Sequence, residues 1–157
     1  MSARILFVCL GNICRSPTAE GVFRQRAAAA GLSRLQIDSA GTASWHVGKA
    51  PDPRTVKAAA GRGYDLSVLR ARQVTAGDFN QFDFILAMDC NNLAELESIQ
   101  PSQSVAELGL FLDYASGFSA REVPDPYYGG AQGFEVVLDL IENASDGLIA
   151  RLRGAAS

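Results

Sequence analysis

The chain has 157 residues, 48% of them apolar and 20% charged, with a formal net charge of −3. That size fits one domain over residues 1–157 with room for a real core, and the composition reads as soluble and globular. No basic block suggests a nucleic-acid partner, and no apolar run approaches the ~20 residues of a membrane helix.

Three cysteines, Cys9, Cys14 and Cys90, are odd in number and too few for a disulfide framework. The single histidine, His46, excludes a His-rich metal site, and no cysteine pair has zinc-ligand spacing alongside other ligands. Chemistry without metal or cofactor is expected. The N-terminus has no secretory pattern, so the cytoplasm is the default. Twelve arginines against two lysines, with much alanine, hint at a GC-rich bacterial genome.

In chain order, the apolar run Ile5-Leu6-Phe7-Val8 predicts a buried strand, and Cys9 stands at its end. Pro17 suits the first position of a helix, with Ser16 as its N-cap. Cys9 and Arg15 then bracket a seven-residue loop between a strand's carboxyl end and a helix's amino end. Amides of such a loop, with the helix dipole behind them, make an anion site. Gly11 and Asn12 tolerate the left-handed turns the loop needs. Arg15 offers a planar fork for two phosphate oxygens. Cys9 would lie under the anion, where positive potential favours the thiolate over a thiol of ordinary pKa about 8.5. The Ser16 hydroxyl could donate to that thiolate. Cys-x5-Arg, with Leu10, Gly11, Asn12, Ile13 and Cys14 between, thus reads as a phosphate cradle with a nucleophile at its floor. The plainer alternative is a buried cysteine and a surface arginine. No Gly-Lys-Ser/Thr closes a Walker loop, and Gly61-Arg62-Gly63 lacks the third glycine of a dinucleotide fingerprint.

From Pro17 to about Ala30, apolar residues share one helical face, and Gly31 ends the helix. Leu35 to Ala40 predicts a second strand, followed by a loop through Trp45. Asp52 caps a second helix that starts at Pro53 and ends near Gly61. Leu66 to Phe79 reads as irregular, with a short helical turn after Thr75. Phe82 to Met88 is a third strand and Asn91 to Ser98 a third main helix. Ala106 to Phe111 is a fourth strand, interrupted by Gly109. Leu112 to Gly133 is long for a loop, and such loops are usually functional or disordered. An amphipathic helix from Phe134 to about Leu152 closes the chain. Alternating strands and helices imply an α/β fold: a parallel sheet covered on both faces, with ligands at the strands' carboxyl ends.

A departing phenolate has a pKa near 10 and needs a proton as it leaves. Val123-Pro124-Asp125-Pro126-Tyr127-Tyr128 could supply it from Asp125, a carboxylic acid on a backbone stiffened by two prolines. A proline-rich turn is the plainer reading of the same residues.

Cys9-Leu-Gly-Asn-Ile-Cys14-Arg15-Ser16 together with Asp125-Pro-Tyr-Tyr128 resembles the low-molecular-weight protein tyrosine phosphatase family. Ser39-Ala-Gly-Thr42, Ala71-Arg72-Gln73 and Asp83 to Asp89 extend the resemblance over essentially the whole chain. It implies a four-stranded parallel sheet flanked by helices. It also implies Cys9 as nucleophile, Arg15 as phosphate clamp and Asp125 as general acid. Ser16 would steady the thiolate, and Asn12 and Ser39 would hold the loop's shape. Trp45, Tyr127 and Tyr128 would form the substrate rim, Trp45 being as readily a core anchor. The implied partner is a phosphotyrosine protein, such as an autophosphorylating tyrosine kinase; oligomeric state stays open. Family members form a reversible disulfide within this loop, which makes Cys14 a candidate redox partner of Cys9. Some members carry a histidine just before Ala-Arg-Gln, where this chain has Leu69-Arg70. The rival readings are an arsenate reductase on the same cradle, which needs two further clustered cysteines where only Cys90 stands, and a phosphotyrosine-binding module without turnover.

Overall fold

A computed structural model describes residues 2–126 and 130–156. Strands β1 (Ser2–Cys9), β2 (Arg34–Gly41), β3 (Phe84–Ala87) and β4 (Glu107–Leu110) form a fully parallel sheet in the order β2-β1-β3-β4. Among the described residues, five α-helices join or flank them: α1 (Arg15–Ala29), α2 (Pro53–Ala60), α3 (Asp78–Gln81), α4 (Cys90–Ile99) and α5 (Ala131–Ala156).

The period-2 alternation of β1 divides the core. Ile5, Phe7 and Cys9 face the layer built from α1 and α5, whereas Leu6 and Val8 face Phe79, Phe82 and Leu96 on the other side. Phe7 is fully buried, with Phe23 and Phe111 edge-on to its ring at 5.7 and 4.8 Å between centroids. Burying one such side chain stabilises the fold by about 1.5–3 kcal/mol. With both faces covered and β1 central, Cys9 emerges at the middle of the sheet's carboxyl edge.

The predicted strands and main helices are present, with adjusted ends. Asp52 accepts the Arg54 N–H as the cap of α2, and Gly31 follows α1 at φ 86°. Three expectations need correction. Helix α1 begins at Arg15, so Ser16 lies inside its first turn and is not the N-cap; that position is Cys14, with no side-chain cap. Strand β4 runs unbroken through Gly109. The stretch after β4 is not all loop either: Phe111–Tyr114 is a 3-10 turn, and α5 starts three residues before Phe134.

Candidate active site

The loop after β1 wraps around the Cys9 sulfur. Asn12 takes φ 58°, the sole non-glycine positive φ among the described residues, a conformation its short polar side chain tolerates. That turn aims the Asn12 N–H at Cys9 Sγ, 3.3 Å away. The Ser16 hydroxyl lies 3.0 Å from the same sulfur. The Asn12 side chain spans three partners: Nδ2 donates to Ser16 Oγ (2.8 Å) and Ser39 Oγ (3.0 Å), and Oδ1 accepts the Arg72 N–H (3.0 Å). Ser39 in turn donates to the buried Glu20 carboxylate at 2.7 Å. Burial is the main reason that the Glu20 pKa lies above the usual carboxylate value.

Gly11 is not left-handed, contrary to the sequence expectation. Its smallness serves contact instead, because a Cβ there would meet His46 Cδ2 at 3.0 Å. Gly41, at the end of β2, backs the loop even more tightly: a Cβ would come within 2.7 Å of the Leu10 carbonyl oxygen.

Arg15 is almost wholly enclosed. Its Nη1 donates to Asp89 Oδ2 at 2.6 Å and to the Val123 carbonyl at 3.1 Å, and its Nη2 stands 3.9 Å from Asp125 Oδ2. Burial alone would lower its pKa; the charges of Cys9, Asp89 and Asp125 outweigh that and raise it, so the fork stays cationic. Asp89 also caps α4 by accepting the Asn92 N–H at 2.7 Å. The Val123 N–H donates to the Met88 carbonyl at 2.8 Å, tying the segment that carries Asp125 to the end of β3. Asp89, Glu20 and Arg72 were not singled out for roles from sequence. Asp89 had one local signal, an acid just before a helix.

Cys9, Arg15 and Asp125 line one cleft of about 250 Å³, walled by Leu10, Ile13, Trp45 and His46. Trp45 is 69% exposed and so belongs to the rim, not the core. Tyr127 and Tyr128 lie outside the described residues. Cys14 is buried and lines the same cleft; burial pushes its thiol up to about 12, with the Thr55 side chain lowering it and the Asp52 charge raising it. Cys90 is exposed. Among the described residues, no cluster of His, Cys, Asp and Glu could hold a metal ion.

A family model described as low molecular weight phosphotyrosine protein phosphatase matches residues 4–156. The chain belongs to that family. A low molecular weight protein-tyrosine-phosphatase of Streptomyces coelicolor is 45% identical, over 98% of this chain and 95% of its own. The crystal structure of a protein tyrosine phosphatase from Entamoeba histolytica, with Hepes in its active site, superposes at TM-score 0.94 with 41% identity. That match covers 99% of this chain and all of the other. A Vibrio vulnificus Wzb structure in complex with benzylphosphonate superposes at TM-score 0.82 with 28% identity, over 96% and 99% of the two chains. The protein is therefore a protein tyrosine phosphatase, and its four-stranded parallel sheet with its helices superposes on those structures.

Proposed function

We propose that Cys9 is the nucleophile of this phosphatase, Arg15 its phosphate clamp and Asp125 its general acid. The observation that carries this is the enclosure of one sulfur: Cys9 Sγ takes the Asn12 N–H and faces the Ser16 hydroxyl, under a cleft bordered by Arg15 and Asp125. Cys9 sulfur attacks phosphorus as the ester P–O bond breaks, and Asp125 gives its proton to the departing tyrosine oxygen. Water then attacks the cysteinyl-phosphate, passing a proton to the Asp125 carboxylate. The S–P bond breaks to return thiolate and inorganic phosphate. Loop amides and Arg15 hold the phosphoryl oxygens through both steps. Each step uses only groups of this chain and water, which is the basis for proposing catalysis without metal or cofactor.

The substrate is a phosphotyrosine protein, for which an autophosphorylating tyrosine kinase is our specific candidate, in a bacterial cytoplasm. Leu10 and Trp45 offer apolar walls to the tyrosine ring, and Tyr127 and Tyr128 belong to the same proposed rim. Ser16, Asn12 and Ser39 support the loop. Cys14 is the proposed redox partner: peroxide converts the Cys9 thiolate to a sulfenic acid, and the Cys14 thiol displaces water to form a disulfide. Peroxide inactivation should then be reversed by a thiol reductant in the wild type and not in Cys14→Ser.

The deciding experiment is hydrolysis of p-nitrophenyl phosphate at mildly acidic pH, with chelator present, in wild type and Cys9→Ser. Turnover that disappears in the variant supports the assignment. Equal turnover in the two proteins, or none in folded, reduced wild type, would overturn it.

A further inference from the structure

The bonds that end on the Cys9 sulfur have a direction, and that direction begins at a donor. A backbone N–H can only donate, so the Arg72 N–H at 3.0 Å from Asn12 Oδ1 fixes which way the Asn12 amide faces. With Oδ1 committed there, Nδ2 faces Ser16 and Ser39 and supplies a proton to each. Ser16 Oγ, already accepting from Asn12, has one proton of its own, for which the Cys9 sulfur at 3.0 Å is a nearer acceptor than the Ala40 carbonyl at 3.4 Å. The hydrogen-bond donor beneath Cys9 is thus set two hydrogen bonds away, by the placement of one amide of the 70–74 segment.

That amide is held by its own side chain. Arg72 Nε donates to Asp38 Oδ2 at 3.0 Å, and Nη1 and Nη2 take both oxygens of Asp78 at 3.1 Å each. Asp78 is nearly enclosed and also accepts the Thr75 N–H at 2.8 Å, which closes the local turn around Arg72. Asp38 accepts the Ser39 N–H at 2.8 Å with its other oxygen. The bonds therefore form a closed ring: Arg72 N–H to Asn12, Asn12 to Ser39, Ser39 N–H to Asp38, and Asp38 back to the Arg72 guanidinium. On its far side Arg72 accepts the Gly41 N–H through its carbonyl at 2.8 Å. Every member is fastened to β2 or to the loop after β1, so a shift of Arg72 is transmitted to Asn12.

We infer that Arg72 is a positioning residue for catalysis: gripping Asp38 and Asp78, it holds its N–H on Asn12 and so orients the Ser16 hydroxyl toward Cys9. This rests on Cys9 being the nucleophile. The role belongs to the side chain even though the contact with Asn12 is made by the backbone.

The test compares Arg72→Met, Arg72→Lys, Asp38→Asn and, as a control, Arg4→Met. Arg4→Met breaks the partly exposed Arg4–Asp83 pair on the same strand as Cys9 but away from the ring. Three readouts are taken: the rate of Cys9 alkylation by iodoacetamide, kcat and KM for p-nitrophenyl phosphate, and Tm. In Arg72→Met, alkylation should slow about threefold or more and kcat fall about fivefold or more, with KM within twofold. Arg72→Lys, able to keep one carboxylate contact, should recover at least half of the lost kcat. Arg4→Met should lower Tm alone. Asp38→Asn should move alkylation and kcat as Arg72→Met does, and it decides the matter if Arg72→Met does not fold. Lowered Tm with wild-type alkylation and kcat in both ring variants would overturn the inference. Wild-type Cys9 that resists alkylation, or is not protected by inorganic phosphate, would overturn the nucleophile assignment as well, a result legible without any Arg72 variant.

Discussion

Asp89 shares the carboxyl edge of the sheet with Cys9, and its two oxygens do two jobs: one accepts from Arg15, the other caps α4. Asparagine keeps a capping oxygen but removes the charge opposite the guanidinium, so Asp89→Asn isolates the first job. A hydrogen bond between charged groups contributes about 1.5–3 kcal/mol, so loss of it in the transition state predicts a fall in kcat of about ten- to a hundredfold. Phosphate should bind no more weakly than in wild type, because the site loses a negative charge; steady-state kinetics with phosphate as competitive inhibitor checks both. Cys14 gives a second prediction. With its pKa pushed up to about 12 by burial, it stays a protonated thiol at neutral pH. Brief iodoacetamide treatment at pH 7.5 followed by peptide mapping should find Cys14 unlabelled beside labelled Cys9. The proximity of Cys9, Arg15 and Ser16 was legible in sequence because their relation is local, set by one loop length. Asp89 and Arg72 were not, because each acts on a residue some 60 or more positions away that only the folded sheet brings near.

Elements were legible where their ends carry chemistry. Asp52-Pro53 announced α2, Gly31 the end of α1, and apolar runs the strands. Ser16 was misplaced because a serine before a proline carries the same local signal whether its hydroxyl caps a helix or turns to a neighbouring sulfur. Tertiary contact decides between the two, and here Cys9 and Asn12 claim the hydroxyl. The Phe111–Tyr114 turn has no periodicity of its own and is defined by packing on α5. Gly41 shows the same limit on the side of a strand. Its missing Cβ is what lets β2 lie against the loop after β1, since the nearest obstacle is a backbone oxygen that cannot rotate away. Gly41→Ala should therefore displace the loop and lower kcat/KM at least about tenfold, an effect of about 1.4 kcal/mol or more, within the usual cost of overpacking. Circular dichroism should remain that of the wild type while p-nitrophenyl phosphate kinetics change.

Across the whole molecule, the site gathers residues from three strand ends: Cys9 and its loop after β1, Ser39 and Gly41 on β2, and Asp89 after β3. Val123 and Asp125 follow much later in the chain. A ligand held by all of them binds only the folded state. Inorganic phosphate at 100 times its Kd should add about 2.7 kcal/mol. At about 2–4 °C per kcal/mol for a domain of this size, Tm should rise by about 5–10 °C in a thermal melt. Arg15→Ala should abolish the rise. The α/β class was legible from the alternation of elements, and the order β2-β1-β3-β4 follows the usual logic of such sheets. The contacts that make the site one unit were not, since they join segments with no shared sequence pattern.

The central place of β1 has a consequence for synthesis on the ribosome. One edge of the strand pairs with β2, complete once residue 41 has emerged, but the other pairs with β3, which ends at residue 87. At about 5–20 residues per second, the intervening 46 residues take roughly 2–9 s. Throughout that interval the nascent chain presents Ile5 to Val8 as an unpaired apolar strand edge, open to pairing with another chain. The strand that carries the proposed nucleophile is thus the one a ribosome-associated chaperone would have most reason to cover.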